Sequence, residues 1–166
     1  MLLGVISDTH DRLPTFRRAI ALFTRLRVDA ILHAGDLVAP FAAKLIAPDQ
    51  LSVPTHVIYG NNDGERAGLK SVLPHIVDGP LTLDLAGHKV VMHHFADWLK
   101  PAEVAGADVV ISGHNHQASK EERDGVLYLN PGECCGWVTD RCTIATLELS
   151  PERHHAPKAE IIEVHE

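Results

Sequence analysis

Short apolar segments alternate with amphipathic stretches through the first half of the chain. Leu2–Ser7, Ala30–Ala34 and Thr55–Tyr59 are short and apolar, which is typical of buried strands. Between them, Leu13–Arg27 has apolar residues at helical spacing and a proline near its start, and Pro40–Ile46 forms a second helical segment. This alternation predicts a parallel sheet with right-handed crossovers, because a helix returns the chain to the start of the next strand.

The second half of the chain consists mainly of strand-like segments joined by turns. Leu81–Leu85 and Lys89–Met92 flank Ala-Gly-His and predict a hairpin. A short helix at Pro101–Ala105 precedes a further apolar segment, Asp108–Ser112. Additional strands are predicted around Ser119–Arg123, Val126–Leu129, Cys142–Leu149 and Glu160–Val164. We therefore predict an α/β fold in which residues 1–166 form a single domain, with two β-sheets packed face to face and helices outside.

Polar residues follow five of the apolar segments at the point where each predicted strand ends. A single cluster of this kind is usually no more than a polar strand end. In α/β sheets, however, the loops at the carboxyl ends of strands form a crevice in which ligands bind, so five clusters can converge on one site. The clusters are Asp8-Thr9-His10, Gly35-Asp36, Gly60-Asn61-Asn62-Asp63, His93-His94 and Gly113-His114-Asn115-His116.

The side chains in these clusters are typical metal ligands. In an extended chain residues i and i+2 point the same way, so Asp8 with His10, and His114 with His116, can each approach a metal from one side. The candidate oxygen ligands are Asp8, Asp36 and Asn61, and the candidate nitrogen ligands are His10, His93, His114 and His116. Seven ligands exceed the needs of one tetrahedral ion and fit two ions that share a carboxylate, about 3.5–4 Å apart. Mixed carboxylate and imidazole ligands favour Mn, Fe, Zn or Co over Ca or Mg.

The ordered set of motifs resembles the calcineurin-like metallophosphoesterase family. The resemblance rests on Asp8-x-His10, Gly35-Asp36, Gly60-Asn61-x-Asp63, His93 and Gly113-His114-x-His116. The short length and Asn130-Pro131-Gly132 are similar to the small YfcE-type phosphodiesterase branch. The resemblance implies a four-layer αββα sandwich of two mixed sheets and a metal-dependent phosphodiesterase, a hydrolase that attacks phosphorus with a metal-activated hydroxide.

By position, the resemblance also implies two sets of metal ligands. One ion would be bound by Asp8, His10, Asp36 and His116, and the other by Asp36 as bridge, Asn61, His93 and His114. Asp8, Asp36, Asn61 and His93 would then be the catalytic residues. The implied cofactors are two divalent metal ions per chain, with manganese as the first choice and Fe, Zn, Ni or Co as alternatives.

Some residues near the implied site depart from the family pattern, and three of them are predicted to line the substrate pocket: Asn62, His94 and Asp11. Asn62 stands where many members carry a histidine thought to protonate the leaving group, which favours substrates with good leaving groups. Glu133 replaces a usual serine. His33, inside a predicted strand, is interpreted as a core or supporting residue. Trp98 and Trp137 are interpreted either as walls of the cleft or a subunit interface, or as ordinary packing residues.

Composition limits the partners. The net charge of −7 and pI of about 5.9 argue against duplex nucleic-acid binding, and no apolar run is long enough to cross a membrane. Three cysteines suit a reducing cytoplasm rather than a disulfide framework. We expect a small phosphodiester substrate and a homodimer or homotetramer.

Two alternative functions stay open. A phosphomonoesterase of the same fold is disfavoured by Asn62, which cannot act as the leaving-group acid. A protein-interaction scaffold like the retromer subunit that resembles this family is disfavoured because all seven putative ligands are retained.

Overall fold

Ten strands form two five-stranded sheets in the computed structural model, which describes residues 1–152 and 155–165. The strands are β1 Leu2–Ile6, β2 Ala30–His33, β3 Thr55–Val57, β4 Leu81–Leu85, β5 His88–Met92, β6 Val109–Ile111, β7 Ser119–Arg123, β8 Val126–Asn130, β9 Thr143–Glu148 and β10 Lys158–Glu163. The α-helices are α1 Leu13–Leu26, α2 Pro40–Ala43, α3 Arg66–Val72 and α4 Pro101–Val104. Short 3₁₀ turns cover Lys44–Ile46 and Ala96–Trp98.

The strand order brings the carboxyl ends of parallel strands together. In the first sheet the order is β10-β9-β1-β2-β3, and β1, β2 and β3 are parallel, as the strand–helix alternation predicts. In the second sheet the order is β4-β5-β6-β8-β7, with β5, β6 and β8 parallel and the two outer strands antiparallel. Both sheets are therefore mixed, and each presents the ends of its central parallel strands at one edge.

Alternating side chains along the strands separate the core into layers. In β5, Val90 and Met92 join the cluster between the two sheets, whereas Val91 joins a separate cluster that contacts α4. In β1, Val5 lies between the sheets and Ile6 packs in the cluster that includes α1. Side chains alternate between the two faces of a strand, and here those on both faces are apolar, so both faces of each sheet must be covered by other elements. The prediction of two packed sheets with outer helices is confirmed.

Helix α1 covers the first sheet with one apolar face. Phe16, Ala19 and Phe23 are fully buried and lie on the same face, as the helical spacing of the sequence predicts. The helix ends where Arg27 adopts a left-handed conformation, with its N–H donating to the carbonyls of Phe23 and Thr24. With 14 residues α1 is too short to cross a membrane, and no other helix in the described ranges is long and apolar enough to do so.

Candidate metal centre

Two buried carboxylates lie at the ends of neighbouring parallel strands. Asp8 follows β1 and Asp36 follows β2, and the Asp8 backbone N–H donates to the carbonyl of Gly35 at 3.0 Å. Asp8 Oδ2 accepts a hydrogen bond from the His114 N–H at 3.1 Å, which links this edge to the second sheet. Asp8 Oδ1 is buried and has no hydrogen-bond partner among the described residues. A buried carboxylate oxygen without a donor is a position that a cation would stabilise.

Two imidazoles face these carboxylates from one side. His10 Nε2 lies 3.4 Å from Asp36 Oδ2 and 3.8 Å from Asp8 Oδ1, and it has no hydrogen-bond partner within the described chain. His116 Nε2 lies 3.5 Å from Asp8 Oδ1. Interaction with the Asp8 carboxylate raises the pKa of His10, against the lowering effect of burial. The structure thus brings together Asp8, His10, Asp36 and His116, the residues predicted to bind the first ion.

His94, rather than His93, lies beside Asp36 from the second sheet. The buried His94 ring donates its Nδ1–H to the Ala34 carbonyl at 2.8 Å, while Nε2 lies 3.0 Å from Asn61 Oδ1 and 3.3 Å from Asp36 Oδ2. A ring held at Nδ1 by a backbone carbonyl, with Nε2 facing the site, is the usual arrangement of a metal-binding histidine. Burial lowers the pKa of His94, but the Asp36 carboxylate outweighs it and raises that pKa.

The assignment of His93 as a ligand is therefore corrected. His93 Nδ1 lies 2.8 Å from Phe95 O and 3.0 Å from Phe95 N, and its ring contacts Phe95 and Trp98 instead of the carboxylates. The physical reason is strand alternation. The pairing of β5 with β6 continues past Met92, because His93 N–H donates to Ile111 O, so side chains still alternate there. Met92 points between the two sheets, so His93 points to the outer side and His94 points toward the first sheet.

Asn61 and His114 complete a second group of donors. Asn61 Oδ1 lies 3.0 Å from His114 Nδ1 and 3.0 Å from His94 Nε2. Asp36 Oδ2 contacts both groups, because it lies within 3.4 Å of His10 Nε2 and within 3.3 Å of His94 Nε2. The geometry therefore offers Asp36 as the carboxylate shared between two adjacent sets of donors.

Glu133 orients His116 and anchors the loop behind it. Its buried carboxylate accepts the His116 Nδ1–H at 2.8 Å, which leaves His116 Nε2 directed at Asp8. The same carboxylate accepts hydrogen bonds from the Cys135 thiol, the backbone N–H groups of residues 137–139 and the Thr139 hydroxyl. Burial by itself raises the pKa of Glu133, but these donors outweigh it and lower the pKa to about 2. Sequence reasoning noted Glu133 only as a departure from the family pattern.

Asp36 is held in its ionised form by its neighbours. Burial raises the pKa of Asp36, but hydrogen bonds from His94 and Asn62 outweigh it and hold the pKa far below its usual value. Asn62 donates to Asp36 twice, through its backbone N–H and its amide Nδ2, each at 2.8 Å. Asn62 is thus at the site, in contact with the candidate bridging carboxylate.

Two other aspartates position loops. Asp63 accepts hydrogen bonds from the backbone N–H groups of Gly60, Asp36 and Val38, and so ties the end of β3 to the end of β2. Asp11 accepts a hydrogen bond from the Ala39 N–H at 3.0 Å, so its observed contact is to a loop.

His33 supports the Asp36 loop as a neutral buried residue. Its Nδ1 accepts a hydrogen bond from the Gly35 N–H, and its Nε2 lies 3.3 Å from Thr9 Oγ1. Burial lowers the pKa of His33 to about 3, so the ring carries no charge at neutral pH. The interpretation of His33 as a core or supporting residue agrees with these contacts.

Close packing at the strand ends requires glycine at two positions. A Cβ on Gly113 would lie 2.0 Å from Ser7 Oγ and 2.6 Å from Asp8 Oδ2, and a Cβ on Gly60 would lie 2.1 Å from Asp36 Oδ1. Any side chain at either position would displace a candidate ligand.

The donor set fits divalent metal ions. Asp8, Asp36 and His94 each offer a ligand atom, and these atoms lie within 4.8 Å of one another. His10, His116 and Cys135 form a second such group. Burial raises the pKa of Cys135, and its thiol donates to Glu133, so a thiolate ligand is disfavoured and the set is carboxylate, amide and imidazole.

Comparisons with known proteins agree on one family. The model of the calcineurin-like phosphoesterase superfamily domain matches residues 1–152. A phosphodiesterase of Methanocaldococcus jannaschii is 38% identical over 162 residues, which cover 93% of this chain and 96% of that protein. A probable metallophosphoesterase of Methanothermobacter thermautotrophicus is 34% identical over 80% of this chain and 76% of its own length.

Solved structures with the same fold include enzymes and a sorting protein. The structure of an archaeal phosphodiesterase is 34% identical, with a TM-score of 0.80 over 98% of this chain and all of that one. YfcE, a phosphoesterase from E. coli, has a TM-score of 0.71 at 17% identity over 99% of this chain and 100% of its own. Vps29 of Entamoeba histolytica has a TM-score of 0.67 at 19% identity, with the same coverage. The last two comparisons concern the fold alone.

Proposed function

The chain belongs to the calcineurin-like phosphoesterase superfamily, a family of metal-dependent hydrolases, and we propose that it is a phosphodiesterase that uses two divalent metal ions. The observation that carries the proposal is the position of Asp36 Oδ2 between His10 on one side and His94 on the other. A carboxylate shared between two sets of donors is what a pair of dications needs, because its charge offsets their mutual repulsion.

The proposed ligands divide into two sets that share one residue. Asp8, His10, Asp36 and His116 would hold the first ion, and Asp36, Asn61, His94 and His114 would hold the second. When bound, the two ions supply a nucleophile at neutral pH and neutralise charge on the phosphoryl group. The chain itself orients the ligands: Glu133 fixes the His116 ring and the Ala34 carbonyl fixes the His94 ring.

Manganese is the proposed native metal, and Fe, Zn, Ni and Co are alternatives that the same donor chemistry accommodates. Carboxylate, amide and imidazole ligands together suit these ions better than calcium, which prefers an all-oxygen shell. Metal binding would also be coupled to pH, since a cation at Nε2 must displace the proton that Asp36 stabilises on His94.

Asn62 supports diesters with good leaving groups. Its amide is already bonded to Asp36, and an amide can donate a hydrogen bond but cannot release a proton to a departing alkoxide. The acidic net charge supports a small substrate rather than a nucleic-acid duplex.

The test combines a substrate screen with two neighbouring substitutions. Metal-stripped protein is refilled with Mn, Ni, Co, Zn or Mg and assayed with bis(p-nitrophenyl) phosphate and p-nitrophenyl phosphate. We expect metal-dependent turnover that favours the diester, two bound ions per chain by calorimetry, and loss of both activity and one ion in His94→Ala. The matched control His93→Ala should keep both ions. Faster turnover of the monoester, or two ions retained in His94→Ala, would contradict the proposal.

A further inference from the structure

A cavity of about 440 Å³ opens directly beside the candidate metal centre. His114, one of the proposed ligands, lines it together with Phe95, Trp98, Asn115 and Tyr128. Pockets of about 300–1,000 Å³ are the usual size for small ligands. A group attached to a phosphoryl centre at the metal site could therefore extend into this cavity.

One wall of the cavity is a continuous aromatic surface that starts at the metal centre. The Phe95 ring lies 4.3 Å from the His114 ring, and the Trp98 ring stacks on Phe95 at 4.2 Å with an angle of 13°. Trp98 is nevertheless 67% exposed, so most of the indole is available for a further contact. Tryptophan is usually largely buried, because its large apolar surface gains most from burial, and an exposed indole in a cavity wall is a surface for stacking.

The remaining lining is polar, with the carboxylates of Asp97 and Glu121 and the guanidinium of Arg123. Arg123 is paired with Glu121 through both Nε and Nη2, and its guanidinium lies over the Tyr128 ring at 5.0 Å. Asn130 Nδ2 donates to Gly113 O and to Asn115 Oδ1, which fixes that side of the cavity. A second phosphate group in this cavity would be poorly stabilised, because the Arg123 guanidinium is already paired with the Glu121 carboxylate. A neutral planar group with hydrogen-bonding edges fits this combination of aromatic wall and amide and hydroxyl groups.

We propose that this cavity is a nucleobase subsite and that the substrate is a nucleoside phosphodiester whose base stacks on Trp98. This inference rests on the proposed function, since the phosphoryl group must lie at the metal centre for the base to reach the cavity. A lipid diester fits less well, because the polar side chains of the lining would lose their water without gaining partners.

The experiment compares two diesters with the same leaving group. Thymidine 5′-(p-nitrophenyl phosphate) carries a base on the retained side, and methyl p-nitrophenyl phosphate does not, so their ratio of kcat/KM isolates the base contact. Base–aromatic stacking contributes enough to change affinity by about 5- to 150-fold. We expect Trp98→Ala to lower kcat/KM for the thymidine ester by that factor and to leave the methyl ester unchanged, while Trp98→Phe retains most of the preference. Phe41→Ala, which removes a half-exposed aromatic ring outside the cavity, is the matched control and should change neither substrate.

A binding measurement separates the failure of this inference from failure of the proposed function. The chain has two tryptophans, so Trp137→Phe leaves Trp98 as its only indole. Adenosine 5′-monophosphate should quench its fluorescence in the metal-loaded protein at concentrations about 5- to 150-fold below those needed for ribose 5-phosphate. Equal effects of the two ligands, or an unchanged thymidine preference in Trp98→Ala, would overturn the nucleobase subsite. Absence of hydrolysis of both diesters would overturn the phosphodiesterase proposal, and the nucleotide titration would still decide the subsite.

Discussion

Replacing Glu133 with glutamine should destabilise the protein and weaken one metal position at the same time. The substitution keeps the size of the side chain and removes its charge. The Glu133 carboxylate is fully buried and receives donors from both of its oxygens, so an amide NH₂ on either side would face an N–H or O–H donor. On the side of His116, the amide would also stop accepting the Nδ1–H that sets the ring tautomer.

The size of the expected loss of stability follows from how strongly the folded protein stabilises the ionised Glu133 carboxylate. The pKa of Glu133 falls from its usual 4.5 to about 2, which at about 1.4 kcal/mol for each pKa unit corresponds to about 3 kcal/mol of stability. Because the folded-state pKa is lowered, this contribution is fully present above about pH 4.5 and is lost as the pH falls toward 2. At neutral pH the Tm should fall by about 6–12 °C for a chain of this length.

Urea unfolding of the metal-free protein between pH 7 and pH 2 measures the effect. The difference between the wild type and Glu133→Gln should be about 3 kcal/mol at neutral pH and should shrink as the pH drops below 4.5. Glu163→Gln is the control, because Glu163 forms an exposed ion pair with Arg141 and such pairs contribute at most about 1 kcal/mol. Metal affinity should fall by about 10- to 100-fold through His116. Equal stability of the two Glu variants across the pH range would refute the reasoning.

Three further predictions concern the charge, pH dependence and leaving group. Asp36→Asn should weaken both metal positions and abolish turnover; calorimetry that finds one ion bound, with activity retained, would contradict a shared role. Burial lowers the pKa of His33 to about 3, so unfolding takes up a proton between pH 6.5 and 3, and stability should fall over that window by up to about 5 kcal/mol. His33→Gln should remove most of that slope in urea unfolding. Aryl diesters with acidic phenols should react far faster than dialkyl diesters, and Asn62→His should reduce the difference; a shallow dependence in the wild type would mean that another group supplies the proton.

The layered fold could be predicted because its signals are local. Continuous apolar segments such as Leu2–Ile6 and Val109–Ile111 are buried on both faces. The amphipathic α1 connects the parallel strands β1 and β2 along the chain. Element boundaries differ from the predicted ones where tertiary pairing decides them. The predicted strand Thr55–Tyr59 ends at Val57, although Ile58 N–H still donates to His33 O in β2 and Tyr59 N–H donates to Val77 O on the other side. The predicted helix Pro40–Ile46 divides into one α-helical turn and a 3₁₀ turn.

The choice between His93 and His94 could not be made from the sequence for a physical reason. In a strand with one polar face, alternation identifies which side each residue takes. In β5 both faces are apolar, since Val90 and Met92 lie between the sheets and Val91 lies on the outer side. The sequence pattern therefore does not show which face of the sheet each residue at the strand end takes, and the adjacent His93 and His94 must point to opposite faces. Only the pairing of β5 with β6, which continues to His93 N–H, identifies His94 as the residue that faces Asp36.

Extended backbone at the strand ends predicts that the candidate ligands converge. In the structure they do converge, but several of them have left-handed instead of extended backbone. Left-handed backbone occurs at five of the candidate ligands, with φ of 51° at Asp8, 38° at His10, 60° at Asp36, 70° at His114 and 63° at His116. Non-glycine residues in this region cost about 1–3 kcal/mol each and persist only where surrounding contacts determine them. Such contacts are present, because the Asp36 N–H donates to Asp63 and the His114 N–H donates to Asp8. The backbone hydrogen bonds at these strand ends therefore hold several candidate donors in conformations that non-glycine residues would otherwise avoid.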